Sequence, residues 1–223
     1  MPAICFDIKG LLRLLSASAL LLVSFQTMAQ KNELHGEATT YVGFAPPKQF
    51  SGLGYASLYN NKNFWQVRYN YEDVNTLSFL WGKPLSKEHK KFSFQAVPTI
   101  GVSVGNFIGF SPALQMSAEV GHLEIYSSNQ YSFCANRLNE SFFFTWSEAL
   151  YTVQKHVKVG AAFQYLKQCP VVRSNSELAQ APQQLDFGPM VGVEYHKFYL
   201  SGYFFNLWSP QRHYAVSLTY NFK

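Results

Sequence analysis

At 223 residues, with 17% aromatic and only 14% charged residues, the chain carries little more than half the charge of a soluble domain, for which roughly 25% is usual. Its net charge of +5 is scattered, and the one local cluster is Lys83, Lys87, Lys90 and Lys91; without a basic face, nucleic-acid binding is disfavoured. Beyond residue 29 no stretch is apolar for 18 consecutive residues, which excludes a spanning helix and leaves strands as the way to cross a membrane.

The first 29 residues read as a secretory signal peptide. Lys9 and Arg13 supply the positive front, Leu14 to Phe25 is almost wholly apolar or small, and Thr27-Met28-Ala29 offers the small residues that a signal peptidase reads, leaving Gln30 as the new N-terminus. A transmembrane anchor is the competing reading, but the run is shorter than the roughly 20 residues a spanning helix needs. No cysteine follows the cleavage site, so a lipoprotein anchor is not expected. Export through the Sec pathway follows, with residues 30–223 as a single domain. Cys5 leaves with the signal, and Cys134 and Cys169 remain. In an oxidising compartment two cysteines suggest one disulfide, with two unpaired thiols as the alternative.

From about Phe64 onward the chain becomes a succession of period-two segments. Trp65 to Tyr71, Leu77 to Trp81, Phe92 to Val104, Val157 to Tyr165 and Leu185 to Tyr195 all alternate. So do Ile108, Phe110, Pro112, Leu114, Met116, Ala118 and Val120 against Gly109, Ser111, Ala113, Gln115, Ser117 and Glu119. A tilted transmembrane strand needs only about 9–11 residues, and repeated alternation of this kind is the signature of an outer-membrane barrel. A soluble β-sandwich alternates too, yet its outward face carries Lys, Glu, Thr and Arg, whereas the polar face here is mostly Gly, Ser, Ala, Gln and Asn. Such small polar residues suit a hydrated lumen, and the Tyr, Trp and Phe ending the apolar faces suit interfacial girdles. Pro98, Pro112 and Pro189 fall on the outward face, where they weaken the local ladder.

The segments run 37–45, 51–60, 63–71, 75–83, 91–104, 107–120, 122–133, 140–152, 156–167, 184–195, 197–207 and 212–222. This predicts an all-β, antiparallel transmembrane barrel of about 12 strands, with both ends in the periplasm as an even number requires. Asn60-Asn61-Lys62, Gly121-His122 and Tyr195-His196-Lys197 make tight periplasmic turns; Cys134 to Asn139 and Gln168 to Leu185 are outer loops. Gly82 to Lys91 is a long connection for the periplasmic side, and the first hairpin is weak, so ten strands is the alternative.

The last segment alternates Tyr214, Val216, Leu218, Tyr220 and Phe222 with His213, Ala215, Ser217, Thr219 and Asn221. It resembles the C-terminal strand of Gram-negative outer-membrane proteins, which the barrel assembly machinery recognises by a terminal aromatic; the extra Lys223 departs from that pattern. Gln66-Val67-Arg68-Tyr69-Asn70-Tyr71-Glu72-Asp73 and Phe144-Thr145-Trp146-Ser147-Glu148 are similar to a family of uncharacterised exported barrel proteins of the outer membrane. That resemblance covers most of the mature chain and implies no activity.

If the apolar faces meet lipid, the opposite parity puts Gln66, Arg68, Gln95, Gln115, Glu119, Glu124, Lys158, Gln164, Asp186 and Glu194 in the lumen. The acids Glu119, Glu124, Asp186 and Glu194 against Arg68 and Lys158 would set a transverse field that selects solutes by sign; a filled lumen of mutually satisfied charges is the alternative. Glu148 shares parity with Phe142, Phe144, Trp146 and Leu150, so a regular strand puts it in lipid unless a bulge turns it inward or it lies at the interface.

Outer-membrane barrels also include lipid-modifying enzymes. Here no Gly-x-Ser-x-Gly or His-Glu-x-x-His motif appears, no catalytic residue is assigned, and the scattered histidines and the two cysteines lack metal-ligand spacing. No cofactor or metal is expected. The preferred reading is a small pore or solute-permeable channel in the outer membrane of a Gram-negative bacterium. Its partners would be outer-membrane lipids, the assembly machinery and small solutes; a lipid-modifying enzyme and a structural or adhesive barrel stand as alternatives.

Overall fold

The structure, a computed structural model, describes residues 34–45, 49–137, 140–168 and 183–222. The expected signal peptide and Cys169 lie outside them. The described chain is nearly all strand: β1 (His35–Ala45), β2 (Gln49–Tyr59), β3 (Phe64–Tyr69), β4 (Thr76–Gly82), β5 (Leu85–His89), β6 (Phe92–Gly105), β7 (Gly109–Val120), β8 (Leu123–Cys134), β9 (Phe142–Gln154), β10 (Val157–Gln168), β11 (Gln183–Tyr195), β12 (Phe198–Phe205) and β13 (His213–Phe222). Sequential neighbours pair antiparallel, and β1 pairs with β13, from Gly36 opposite Phe222 to Phe44 opposite Tyr214. That last ladder closes the sheet into a barrel and leaves it no edge strand there.

β4 and β5 are two halves of one barrel strand. Both pair with β6 in a single register, Gly82 opposite Thr99 and Leu85 opposite Ala96. The break between them has a proline cause: the Lys83 N–H donates to the Pro98 carbonyl at 3.3 Å, but Pro98 has no N–H to return. The barrel is therefore twelve-stranded, as the alternation implies. The expectation of a long loop from Gly82 to Lys91 is corrected: the strand resumes at Leu85 and turns only at Lys90-Lys91. The β7–β8 ladder likewise skips Ser111 and Pro112 without changing register, since Pro112 cannot donate. Stepping from partner to partner around the barrel returns to β1 about 14 residues further along, a stagger that goes with steeply tilted strands.

Tight turns gather at the end where β1 begins and β13 ends. Asn60 Oδ1 accepts from the N–H groups of Lys62 and Asn63 at 2.9 and 2.8 Å. Gly121 at φ +62° and His196 at φ +54° supply the left-handed residue that short hairpins need. The longer connections lie at the other end. Outward residues are apolar and exposed, among them Leu114, Val102 and Leu218, and Pro98, Pro112 and Pro189 share that face as expected. The terminal aromatic Phe222 is 2% exposed, its ring lying where a side chain at Gly36 would stand, so the last strand is locked onto the first.

Candidate functional site in the barrel lumen

Inward residues form two different walls. On β2 to β8 the wall is polar. Gln66 Nε2 donates to Ser57 Oγ at 2.9 Å, and Gln66 Oε1 accepts from Arg68 Nε at 2.6 Å and from Gln115 Nε2 at 3.4 Å. Arg68 also donates to Gln130 Oε1, whose amide donates to Ser132 at 2.7 Å and to Glu72 Oε1 at 3.1 Å. Ser78 donates to Glu72 as well, and the Arg68 and Glu72 charges stand 3.8 Å apart with side chains 2% and 0% exposed. Glu72 belongs to the β3–β4 connection, which is folded back by Asn70 and Asn75, both at positive φ. Buried charges of this kind are tolerated only when paired and hydrogen-bonded.

On β9 to β13 and β1 the wall is aromatic. Leu150, Ala162, Met190, Tyr203 and Phe205 pack together, with Tyr41, Trp146 and Ala215 against them. Trp146 meets Tyr203, Phe205 and Tyr41 at centroid distances of 5.2, 5.7 and 5.8 Å. One carboxylate is set among these rings: Glu148 Oε1 accepts from Trp146 Nε1 at 2.7 Å and from the Tyr203 hydroxyl at 2.9 Å. This corrects the parity expected for β9. Trp146, Glu148 and Leu150 face the lumen, while Tyr151 and Val153 on the other parity are about half exposed outside. The β9–β10 register does shift, at Val157/Lys158, but that is beyond Glu148 and is not what turns it inward. The two walls touch where Tyr71 meets Phe144 edge-on at 5.7 Å.

Toward the end where β1 begins and β13 ends the lumen opens into a cavity of about 300 Å³ lined by Glu37, Glu119, Glu124, Glu148, Glu194 and Lys158 together with Tyr41, Tyr55, Tyr126, Tyr199 and Tyr203. Lys158 Nζ lies 2.7 Å from Glu124 and 4.0 Å from Glu194, and 5.5 Å from the centre of the Tyr199 ring. Tyr199 can lie there because Gly192 has no Cβ; one would stand 2.2 Å from the Tyr199 hydroxyl. At the opposite end Arg137 joins three connections, with 2.7 Å contacts to Asp73 and Glu140 and a 3.0 Å bond to the Asn106 carbonyl. The hydrogen bond to Asp73 holds the guanidinium above its ordinary pKa.

The lumen candidates from the sequence thus fall at separate levels. Arg68, Gln66 and Gln115 share the polar network; Glu119, Glu124, Lys158 and Glu194 line the vestibule. Asp186 sits near the end opposite the vestibule, taking bonds from Asn206 and Gln184 at 2.7 Å each, with His213 3.8 Å away; Gln164 is its cross-strand neighbour. Gln95 donates to Ser86 at 3.2 Å on the β5–β6 hairpin. A single transverse field from all six charges is therefore corrected: Arg68 is neutralised by Glu72, and Asp186 lies remote from Lys158. Glu37, Glu72, Gln130, Tyr41 and Tyr203 were not among the candidates. Parity could have found Gln130, two residues from Ser132, and Glu37, opposite Asn221; nothing local marks Glu72, which acts from a loop. Cys134 is buried, with a free thiol donating to Asn136 Oδ1 at 3.1 Å; its expected pairing with Cys169 falls outside the described residues.

No protein-family model and no curated protein matches this sequence. Among solved structures, the KdgM porin superposes with a TM-score of 0.56 at 14% identity, over 84% of this chain and 99% of that one. The same porin in complex with disordered oligogalacturonate gives 0.55, also at 14% identity and with the same coverage. The NanC porin gives 0.54 at 9% identity, over 83% and 99%. The chain has the fold of an outer-membrane porin. At these identities the likeness is one of architecture, so the solute must be argued from the residues of this lumen.

Proposed function

We propose that the chain is an outer-membrane channel for small solutes, exported by residues 1–29, and that its vestibule favours cations over anions. The observation that carries this reading is charge imbalance: among the described residues lining the vestibule, five carboxylates face one lysine. Charged rings in a narrow, low-dielectric passage select by sign. Oligogalacturonate, named with one of the similar porins, is a carboxylated saccharide, and the sign of this vestibule opposes such a solute. Beyond the vestibule the polar and aromatic walls meet where Tyr71 touches Phe144, so a solute has to pass at that contact. Outer-membrane lipids surround the apolar face, and the assembly machinery receives the Tyr220–Phe222 end.

The test is conductance of purified mature protein in planar bilayers under a KCl gradient. Small discrete steps with a cation-selective reversal potential are expected. Anion selectivity would overturn the sign, and silence in repeated insertions would select a closed structural barrel, the reading favoured by the contact of Tyr71 with Phe144 across the lumen.

A further inference from the structure

We infer that two copies of this chain associate in the membrane through the outer face of β8 and β9. Around most of the barrel that face is what lipid requires: mid-strand outward residues include Phe79, Ile100, Leu114, Val191, Leu200 and Val216, all exposed. β8 and β9 differ. Ser128 and Gln130 on β8 and Trp146 and Glu148 on β9 face the lumen, so their neighbours Ser127, Asn129 and Ser147 face out, half-buried, with Thr145 on the same face but only 9% exposed. The pairing sets Ser127 opposite Ser147 and Asn129 opposite Thr145, which places four polar side chains side by side near the middle of two adjacent strands.

These groups satisfy one another only in part. The Ser127 and Ser147 hydroxyls lie 2.9 Å apart, and Asn129 Nδ2 donates to Ser127 Oγ at 3.0 Å. Among the described residues, the Asn129 carbonyl oxygen has no partner. Hydrocarbon offers it none, and lipid headgroups do not reach mid-strand depth. The occupant must itself present hydrogen-bonding groups at that depth, and a second protein surface does so.

A second copy fits because the patch is complementary to itself. A hydroxyl and a primary amide each donate and accept, and the patch carries no charge to repel its twin. Related by a two-fold axis along the membrane normal, two such patches would exchange Asn129 amide bonds in the isologous manner of symmetric dimers. The flanks suit contact as well: Leu114 and Met116 adjoin Asn129 and Ser127 on β7, and Phe133 stacks on Phe110 at 4.5 Å and meets Tyr131 at 4.4 Å. The result would be a polar centre within an apolar, aromatic rim. This inference is independent of the channel reading, since each barrel keeps its own lumen.

The experiment is photo-crosslinking in native outer membranes, with a photoreactive residue at position 129 and, as control, at position 216 on β13. A product of twice the monomer mass is expected from 129 and not from 216. The double variant Ser127→Ala/Asn129→Leu should lower the dimer fraction in lipid nanodiscs at least tenfold; heat-modifiable gel migration checks that the barrel still folds. A heat-modifiable wild-type barrel that gives no dimer from position 129 would overturn the inference. So would a product containing a different polypeptide, or a dimer unchanged in the double variant.

Discussion

The two walls of the lumen solve the same problem in opposite ways. The β2–β8 wall fills its half of the barrel with Arg68, Glu72, Gln66, Gln115 and Gln130, a network whose members are almost fully shielded and bonded to one another. The β9–β1 wall fills its half with Trp146, Tyr203, Phe205 and Tyr41 and admits one carboxylate, Glu148. A polar network depends on complete pairing, because each lost partner strands another group in low dielectric. An aromatic cluster depends on volume, and loss of one hydroxyl leaves its packing in place. The walls should therefore respond differently to the same kind of damage.

The largest effect is expected at Arg68. Arg68→Ala leaves the Glu72 carboxylate buried without its countercharge, which costs about 3–5 kcal/mol when a buried pair is broken. Urea unfolding in lipid vesicles measures it. The double variant Arg68→Leu/Glu72→Leu should recover most of that loss, since an apolar pair of similar size is often neutral or better. If the double variant is as unstable as the single one, the network is not held together by this charge pair.

Next comes the outer face, which tests the register on which both walls rest. Leu218→Arg puts a charge into lipid near the middle of β13 and should cost about 2–4 kcal/mol. Ser117→Arg, at an inward position lining the acidic vestibule, should be milder and should alter conductance instead. Equal losses at both positions would invert inside and outside.

That register was legible in the sequence where lumen and lipid faces differ in polarity. In β6, β7 and β13, Thr99, Ser103, Ser111, Gln115 and Ser217 stand against Ile100, Val102, Leu114 and Leu218, and the parity is unmistakable. It failed in β9, because both faces carry bulky apolar residues there: Trp146 and Leu150 pack inward, Tyr151 and Val153 face out, and Ser147, outward, looked like a lumen residue. Hydrophobicity assigns a face only when the lumen side is polar, and on β9 the lumen side carries Trp146 and Leu150. The break between β4 and β5 misled for another reason. Pro84 and the Lys-rich run after it carry loop chemistry, and the continuous register with β6 is a non-local fact. Glu72 was hidden because its burial comes from the fold of a connection, not from strand alternation.

A smaller effect should separate the walls by hydroxyl loss alone. Tyr203→Phe removes one of the two bonds to Glu148 but keeps the ring against Trp146, so about 1–3 kcal/mol is at stake for the carboxylate left less satisfied. Tyr203→Ala should cost more by opening a cavity, in the range of about 3–5 kcal/mol seen for large aromatic losses. Were the two variants equal, the aromatic wall would be held by its hydrogen bonds and the contrast with the polar wall would vanish.

The smallest stability change, with the clearest functional readout, is expected in the vestibule. Glu124 meets Lys158 at 2.7 Å, but its side chain is 35% exposed and that of Lys158 18%, so water screens the pair and Glu124→Gln should shift stability by no more than about 1 kcal/mol. Selectivity should move further. The substitution removes one carboxylate from a vestibule with a single lysine and leaves that lysine to Glu194 at 4.0 Å, so the preference for cations should fall. Lys158→Met should raise it by deleting the vestibule's only cation among the described residues. Reversal potentials of the two variants in the same KCl gradient should therefore bracket the wild type from opposite sides. A shift in the same direction for both would mean that the substitutions act through vestibule shape and not through charge.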